Sequence, residues 1–186
     1  MLTMLFLLGT AIGFGFAAER WPWAVAAAVV LAAWAMTRLP DIDLMVGLGH
    51  RSGLTHSLLP VGIACARRRW WPIAAGVALG LGLHLSADAF PNAMRGYATV
   101  KLPGLGSIGA GASYAWLTAN AVAALLLGAW LLGRVLAPKI ALAVLGAVAA
   151  IGVFYLFSTD GGWWALAMFG GTGWLAVRGR RAVQPG

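Results

Sequence analysis

Long apolar runs joined by short, mostly basic links are the feature that most narrows what this chain can fold into. A membrane-crossing helix needs ~20 apolar residues, with a range of about 17–25. Seven runs approach that length: Leu2–Ala18, Pro22–Thr37, Leu54–Ala66, Trp71–Phe90, Tyr114–Leu136, Ile140–Phe157 and Gly162–Val177. The third is too short alone. It reaches length only if its helix starts near His50 or Arg51, which would put Thr55, His56 and Ser57 inside the bundle, with Pro60 as a kink that membrane helices tolerate. The pattern predicts an all-α fold, a polytopic transmembrane helical bundle of about seven spans. It forms a single domain over residues 1–186, because the links are too tight for separate units.

Composition agrees. Only 10% of the residues are charged and 61% are hydrophobic, whereas soluble domains are about a quarter charged. Too little polar surface is available to cover a water-soluble globule, so lipid is the expected solvent. The first run, Met1–Ala18, ends like a signal peptide at Ala17-Ala18 but has no basic segment before it, so it reads as a membrane helix.

The net charge of +8 would suggest nucleic acid in a soluble protein. Here the thirteen Lys and Arg residues lie mostly in the links, so they read as a topology signal and no nucleic-acid partner is expected. Seven alternating spans put Arg20, Arg67, Arg68, Arg69, Arg134, Lys139, Arg178, Arg180 and Arg181 on one side, against Arg38, Arg51, Arg95 and Lys101 on the other. The richer side is cytoplasmic by the positive-inside rule. The expected location is a bacterial inner membrane, multi-pass, with the N-terminus outside and the C-terminus cytoplasmic.

That topology carries three separate stretches to one depth on the outer side. Asp41 and Asp43 follow the second span, His50 and His56 flank the start of the third, and His84 and Asp88 close the fourth. The interval from Asp41 to Asp88 holds all three histidines of the chain and three of its five acidic residues. Ionisable groups are costly against a membrane core and usually mark function. His84 and Asp88 are i and i+4, so one helix face carries both. Asp41 and Asp43 follow Pro40 closely enough to repel unless a cation or proton sits between them. Imidazole and carboxylate donors suit a divalent metal, zinc first with manganese and iron as alternatives, as one ion or two. The candidate ligands are Asp41, Asp43, His50, His56, His84 and Asp88. Arg51 beside them would steady an anionic substrate, and Thr55 and Ser57 would donate hydrogen bonds to it. Asp41, His50 and Arg51 are the candidate catalytic residues, with Asp41 or His50 as general base.

Other features carry plainer readings. Cys65 has no partner for an internal disulfide and reads as a small buried hydrophobe. The glycine-rich link from Pro91 to Ser113 reads as irregular structure, since it lacks the Lys and Ser/Thr of a phosphate loop. Asp160 reads as a turn residue. Trp70-Trp71 and Trp163-Trp164 read as interfacial anchors, and Gly76, Gly80 and Gly82 as helix-packing positions.

The ordered strings Leu39-Pro40-Asp41-Ile42-Asp43, His50-Arg51-Ser52-Gly53-Leu54-Thr55-His56-Ser57 and His84-Leu85-Ser86-Ala87-Asp88 resemble a known pattern. It is that of the bacterial and archaeal membrane-bound, metal-dependent hydrolases (the DUF457 type, whose founding inner-membrane member is under LexA control). The resemblance covers residues 39 to about 96, the site-bearing portion. It implies metal-dependent hydrolysis at the membrane. Members often carry a further histidine in the first apolar segment, where Met1–Ala18 has none.

These readings converge on one expectation, a membrane-embedded hydrolase acting on an ester or phosphoester of a lipid at the outer (periplasmic) side. Membrane lipid is then the substrate and the bilayer the partner. The alternatives are a metal or ion transporter and a metal-stabilised structural membrane protein. The first would need polar residues continuing to the cytoplasmic end, and the spans offer almost none. The second would lose its fold together with its metal.

Overall fold

A computed structural model describes residues 1–89 and 93–159, together with the isolated positions Ala167, Gly170, Gly171, Trp174 and Arg178. The expected span Gly162–Val177 therefore lies outside the described residues apart from Ala167, Gly170, Gly171 and Trp174, and the turn at Asp160 and the pair Trp163-Trp164 lie outside them altogether. The described chain is mainly helical, and its one sheet is a small hairpin. Its helices are α1 (Leu2–Ala17), α2 (Pro22–Met36), α3 (Leu59–Cys65), α4 (Trp71–Asp88), α5 (Ala110–Val135) and α6 (Pro138–Phe157).

Among the described residues, three helices are long and apolar enough to cross a membrane, fewer than the seven expected. They are Arg68–Asp88 (α4 with the turn before it), Ala110–Val135 and Pro138–Phe157. Helices α1 and α2 are apolar but have 16 and 15 residues, or ~24 and ~22 Å of rise, against a hydrocarbon core of ~30 Å. The largest departure is the third run. Its helix begins at Leu59, not near His50 or Arg51, and has only seven residues. The cause is local: Pro60 sits in the first helical turn, where proline is best tolerated. The preceding residues spend their hydrogen bonds on turns and on the site.

Helix α4 is the axis of the bundle, with every residue from Pro72 to Ala87 buried. Glycine allows its neighbours to come close. A Cβ on Gly76 would collide with the Val29 carbonyl oxygen, and one on Gly80 with that of Ala33. On the opposite side Gly82 lies against Leu125 and Gly128 of α5 against Leu79. These contacts bear out the packing role expected for Gly76, Gly80 and Gly82. They also fix directions. Contacts ascend together along α2 and α4, so these two helices are parallel, while α5 runs antiparallel to α4. A parallel pair obliges the connection from residue 37 to residue 70 to return along the bundle, and the short α3 with its flanking turns makes that return.

One end of the bundle thus gathers the C-termini of α2, α4 and α6 and the start of α5. The glycine-rich link at that end is more ordered than expected. Residues Lys101–Leu102 (β1) and Gly106–Ser107 (β2) form an antiparallel hairpin, with Gly104 and Gly106 at positive φ in its turn. The hairpin docks on the preceding loop: Gly53 N–H donates to the Lys101 carbonyl (2.8 Å) and Lys101 N–H to the Arg51 carbonyl (3.1 Å).

Candidate metal centre

Three elements deliver the site. Pro40 prevents α2 from continuing, and a six-residue 3₁₀ helix, Leu39–Leu44, follows. With three residues per turn, side chains two apart on such a helix lie ~120° apart around its axis. Asp41 and Asp43 therefore aim at different partners instead of facing each other. Asp41 approaches His84 (Oδ1 to Nε2, 3.7 Å), and Asp43 approaches His56 (Oδ2 to Nδ1, 3.3 Å). The loop before α3 brings in His56, and the last turn of α4 brings in His84 and Asp88.

The two imidazoles meet edge to edge. His56 Nε2 lies 3.1 Å from His84 Nε2, and Asp88 Oδ2 lies 3.2 Å from the first and 3.6 Å from the second. Donor atoms of Asp41, His56 and His84 all fall within 4.8 Å of one another. For a tetrahedral zinc with bond lengths of ~2.0–2.1 Å, neighbouring donors are ~3.3 Å apart. The His56–His84, His56–Asp88, His84–Asp88 and His84–Asp41 separations of 3.1 to 3.7 Å lie near that value, while the Asp41–His56 pair is wider, within 4.8 Å.

The outer contacts decide which atoms face inward. His84 Nδ1 is 2.9 Å from the Thr37 carbonyl oxygen, which can only accept, so this nitrogen carries a proton. Tyr155 Oη stands 3.0 Å from the same nitrogen. His56 Nδ1 faces the Asp43 carboxylate and the Thr55 hydroxyl (2.9 Å). In the neutral tautomers so fixed, both Nε2 lone pairs converge beside a carboxylate oxygen. Three sets of lone pairs at one point demand a positive charge there, either a proton or a metal.

Charge follows the same logic. Asp43 and His56 are completely buried, and Asp88 nearly so (15% side-chain exposure). Burial alone would lower the His56 pKa, yet hydrogen bonds to Asp43 and Asp88 carry it up to about 9. Burial likewise tends to raise the Asp43 carboxyl, but the hydrogen bonds from His56 and the Ser52 N–H hold it below its usual range. Three carboxylates and one guanidinium leave the cluster at −2 with neutral imidazoles, which one divalent cation balances.

The remaining expected residues have other occupations. Arg51 is 7% exposed and makes a bidentate pair with Asp88, Nε to Oδ2 at 3.1 Å and Nη2 to Oδ1 at 3.0 Å. Its Nη1 donates to the Ala98 carbonyl (2.7 Å). The guanidinium anticipated for a substrate anion is thus engaged in holding Asp88. Its backbone sits at φ 56°, in the left-handed region, which costs a non-glycine residue of order 1 kcal/mol. The doubled pair with Asp88 and the docked hairpin hold it there. His50 is not brought into the cluster. Its ring stacks on Tyr97 (4.5 Å, 11°), and its buried Nδ1 has no hydrogen-bond partner. Burial and the adjacent Arg51 lower its pKa. Ser57 Oγ accepts the Leu59 N–H (3.2 Å) at the start of α3. Thr55 does stand at the site, its hydroxyl 3.2 Å from Asp43 Oδ2.

Four supporting groups escaped the sequence reading: the Thr37 carbonyl, Tyr155, Trp116, whose indole N–H donates to the His56 carbonyl (2.8 Å), and Asn120, whose Oδ1 accepts the Leu58 N–H (3.0 Å). Tyr155 and Asn120 had a signal, as polar groups inside apolar helices. Trp116 had none among the ten tryptophans, and the Thr37 carbonyl had none at all. Comparison of the chain with protein families, curated proteins and solved structures finds no match.

Proposed function

We propose that this protein is a membrane-embedded, metal-dependent hydrolase acting on an ester or phosphoester of a lipid at the outer face of a bacterial inner membrane. The carrying observation is the convergence of the His56 and His84 Nε2 atoms, 3.1 Å apart, with their other nitrogens occupied and carboxylates alongside. His56, His84 and Asp88 would hold one divalent ion, with Asp41 beside its open position and zinc favoured by the donor set. When bound, such an ion lowers the pKa of a coordinated water to ~7 and polarises the ester oxygen.

The chain's own residues then divide the work. Asp43 and Thr55 orient His56, while the Thr37 carbonyl and Tyr155 orient His84. Arg51 holds the Asp88 carboxylate in place through its bidentate pair, a positioning role. Asp41 is the one cluster carboxylate with a substantially exposed side chain, at 38%. It borders the opening through which substrate would come, so it is the candidate proton acceptor. That open edge favours a catalytic centre over a closed structural one. The ordered motifs and their family resemblance point the same way. The basic residues at the opposite end, Arg67, Arg68, Arg69, Arg134 and Lys139, support a cytoplasmic placement of that end.

The test is metal analysis of purified protein joined to a lipid-hydrolysis screen, wild type against His84→Ala. The expected outcome is one metal per chain with turnover in the wild type, and neither in the variant. A wild type without stoichiometric metal, or with metal and no hydrolytic turnover across phospholipids, lipid phosphates and acylated lipids, refutes the reading.

A further inference from the structure

An apolar cavity of about 540 Å³ lies beside the cluster, between α1, α3 and α4. Its walls include Leu8, Ile12, Ile63, Ala64, Trp70 and Val77, and its polar end is reached through Pro40, Ile42 and Thr55. Pro40 and Ile42 flank Asp41, and the Thr55 hydroxyl touches Asp43 and His56. The cavity therefore begins where the cluster is open. It is not sealed on its outer side, since Ile63 on its wall is 69% exposed.

Its depth can be read from α4. Its polar end lies at the level of His84, which Asp41 approaches, and Trp70 lies fourteen residues earlier. Fourteen helical residues rise ~21 Å, about two thirds of a ~30 Å hydrocarbon core. A volume of 540 Å³ holds about 18 groups of water size at ~30 Å³ each, and a methylene is of that size. The dimensions are those of one extended acyl chain.

Resting on the hydrolase reading above, we propose that this cavity seats a single acyl chain of a membrane phospholipid. Its ester or phosphoester then meets Asp41 and the paired histidines. Hydrocarbon gains little by leaving bilayer for an apolar slot. What the slot offers is orientation, which fixes the scissile bond at the cluster while the head group stays in water.

The test uses full-length protein in phosphatidylethanolamine–phosphatidylglycerol vesicles doped with a phosphatidylethanolamine bearing a diazirine midway along one acyl chain. Photoadducts are mapped by mass spectrometry, and zinc content is measured on the same samples. Adducts should concentrate on the walls at Leu8, Ile63 and Ala64 and be lost in both Ala64→Trp and Leu8→Trp, with zinc content unchanged. Two variants on different helices guard against misfolding in either. Adducts confined to outward faces such as Leu142 and Phe154 overturn the proposal. So do slot adducts that persist in both variants, or wall residues that cross-link to a second copy of the chain. If zinc is stoichiometric and slot adducts are absent, the slot fails and the hydrolase reading survives. If slot adducts behave as expected in a protein without metal, the lipid slot stands and the hydrolase reading falls.

Discussion

The two halves of α4 solve opposite problems. From Trp71 to Leu83 the helix is wrapped in Ala, Val, Leu and Gly, and its contacts depend on missing side chains, at Gly76 and Gly80 against α2 and at Gly82 and Gly128 against α5. From His84 to Asp88 the same helix carries two ionisable groups into a network linking Thr37, Asp41, Arg51, His56 and Tyr155. The first half gains rigidity from backbone proximity. The second uses that rigidity to hold groups that would repel one another if free to move. The metal-type cluster thus depends on close packing one turn away.

The comparison can be broken most sharply in the polar half. Arg51→Ala leaves Asp88 buried beside two imidazoles without its cation, and should cost about 3–5 kcal/mol. A thermal melt in detergent should register this as a large drop, partly recovered in Arg51→Ala/Asp88→Ala. In the apolar half, Gly80→Leu forces a side chain into the Ala33 carbonyl and should cost about 3 kcal/mol. The α2–α4 spacing would open and metal would be lost secondarily, a coupling that metal analysis of the folded fraction checks.

Milder changes sharpen the contrast. Asp43→Asn and Tyr155→Phe leave every proposed metal donor in place and disturb only orientation, so zinc affinity should fall about 10–100-fold with the melting temperature little changed. Competition against a chromophoric chelator reads this directly. The pH response should separate metal-free from metal-loaded protein. His56 is raised from 6.5 to about 9, so in stripped protein its stabilising contribution is complete below pH 6.5 and fades as pH rises through 9. Zinc affinity should climb over the same interval, because binding must displace that proton. The smallest effect belongs to the outward-facing surface: Leu142→Ala on α6, where the side chain is 70% exposed, should stay within about 0.5 kcal/mol.

Much of the site was legible because its signals are local or topological. The i, i+4 spacing of His84 and Asp88 survives in any helix, and alternating apolar runs bring Asp41, His56 and His84 to one end whatever the detailed packing. The choice among histidines was not legible. His50 and His56 both flank the third run, and only the hairpin at residues 101–107, pairing with residues 51–53, turns His50 onto Tyr97. Nor was the fate of Arg51, since its partners Asp88 and Ala98 lie 37 and 47 residues away. The apolar pattern overstated the third helix, because hydropathy records what a residue tolerates and not whether its backbone bonds are helical. Leu54–Leu58 are used in turns beneath the site.

That shortened third helix has a consequence for how the protein is made. Seven helical residues rise ~10 Å, too little to cross a ~30 Å hydrocarbon core alone. Their flanking non-helical backbone is tolerable at bilayer depth only once other protein covers it. On the membrane reading proposed above, the segment would enter the bilayer only alongside α4, as a joined pair. Cutting the gene after residue 70 should then leave His56 stranded in water, and half of the eventual centre would not exist until the ribosome had moved well past it.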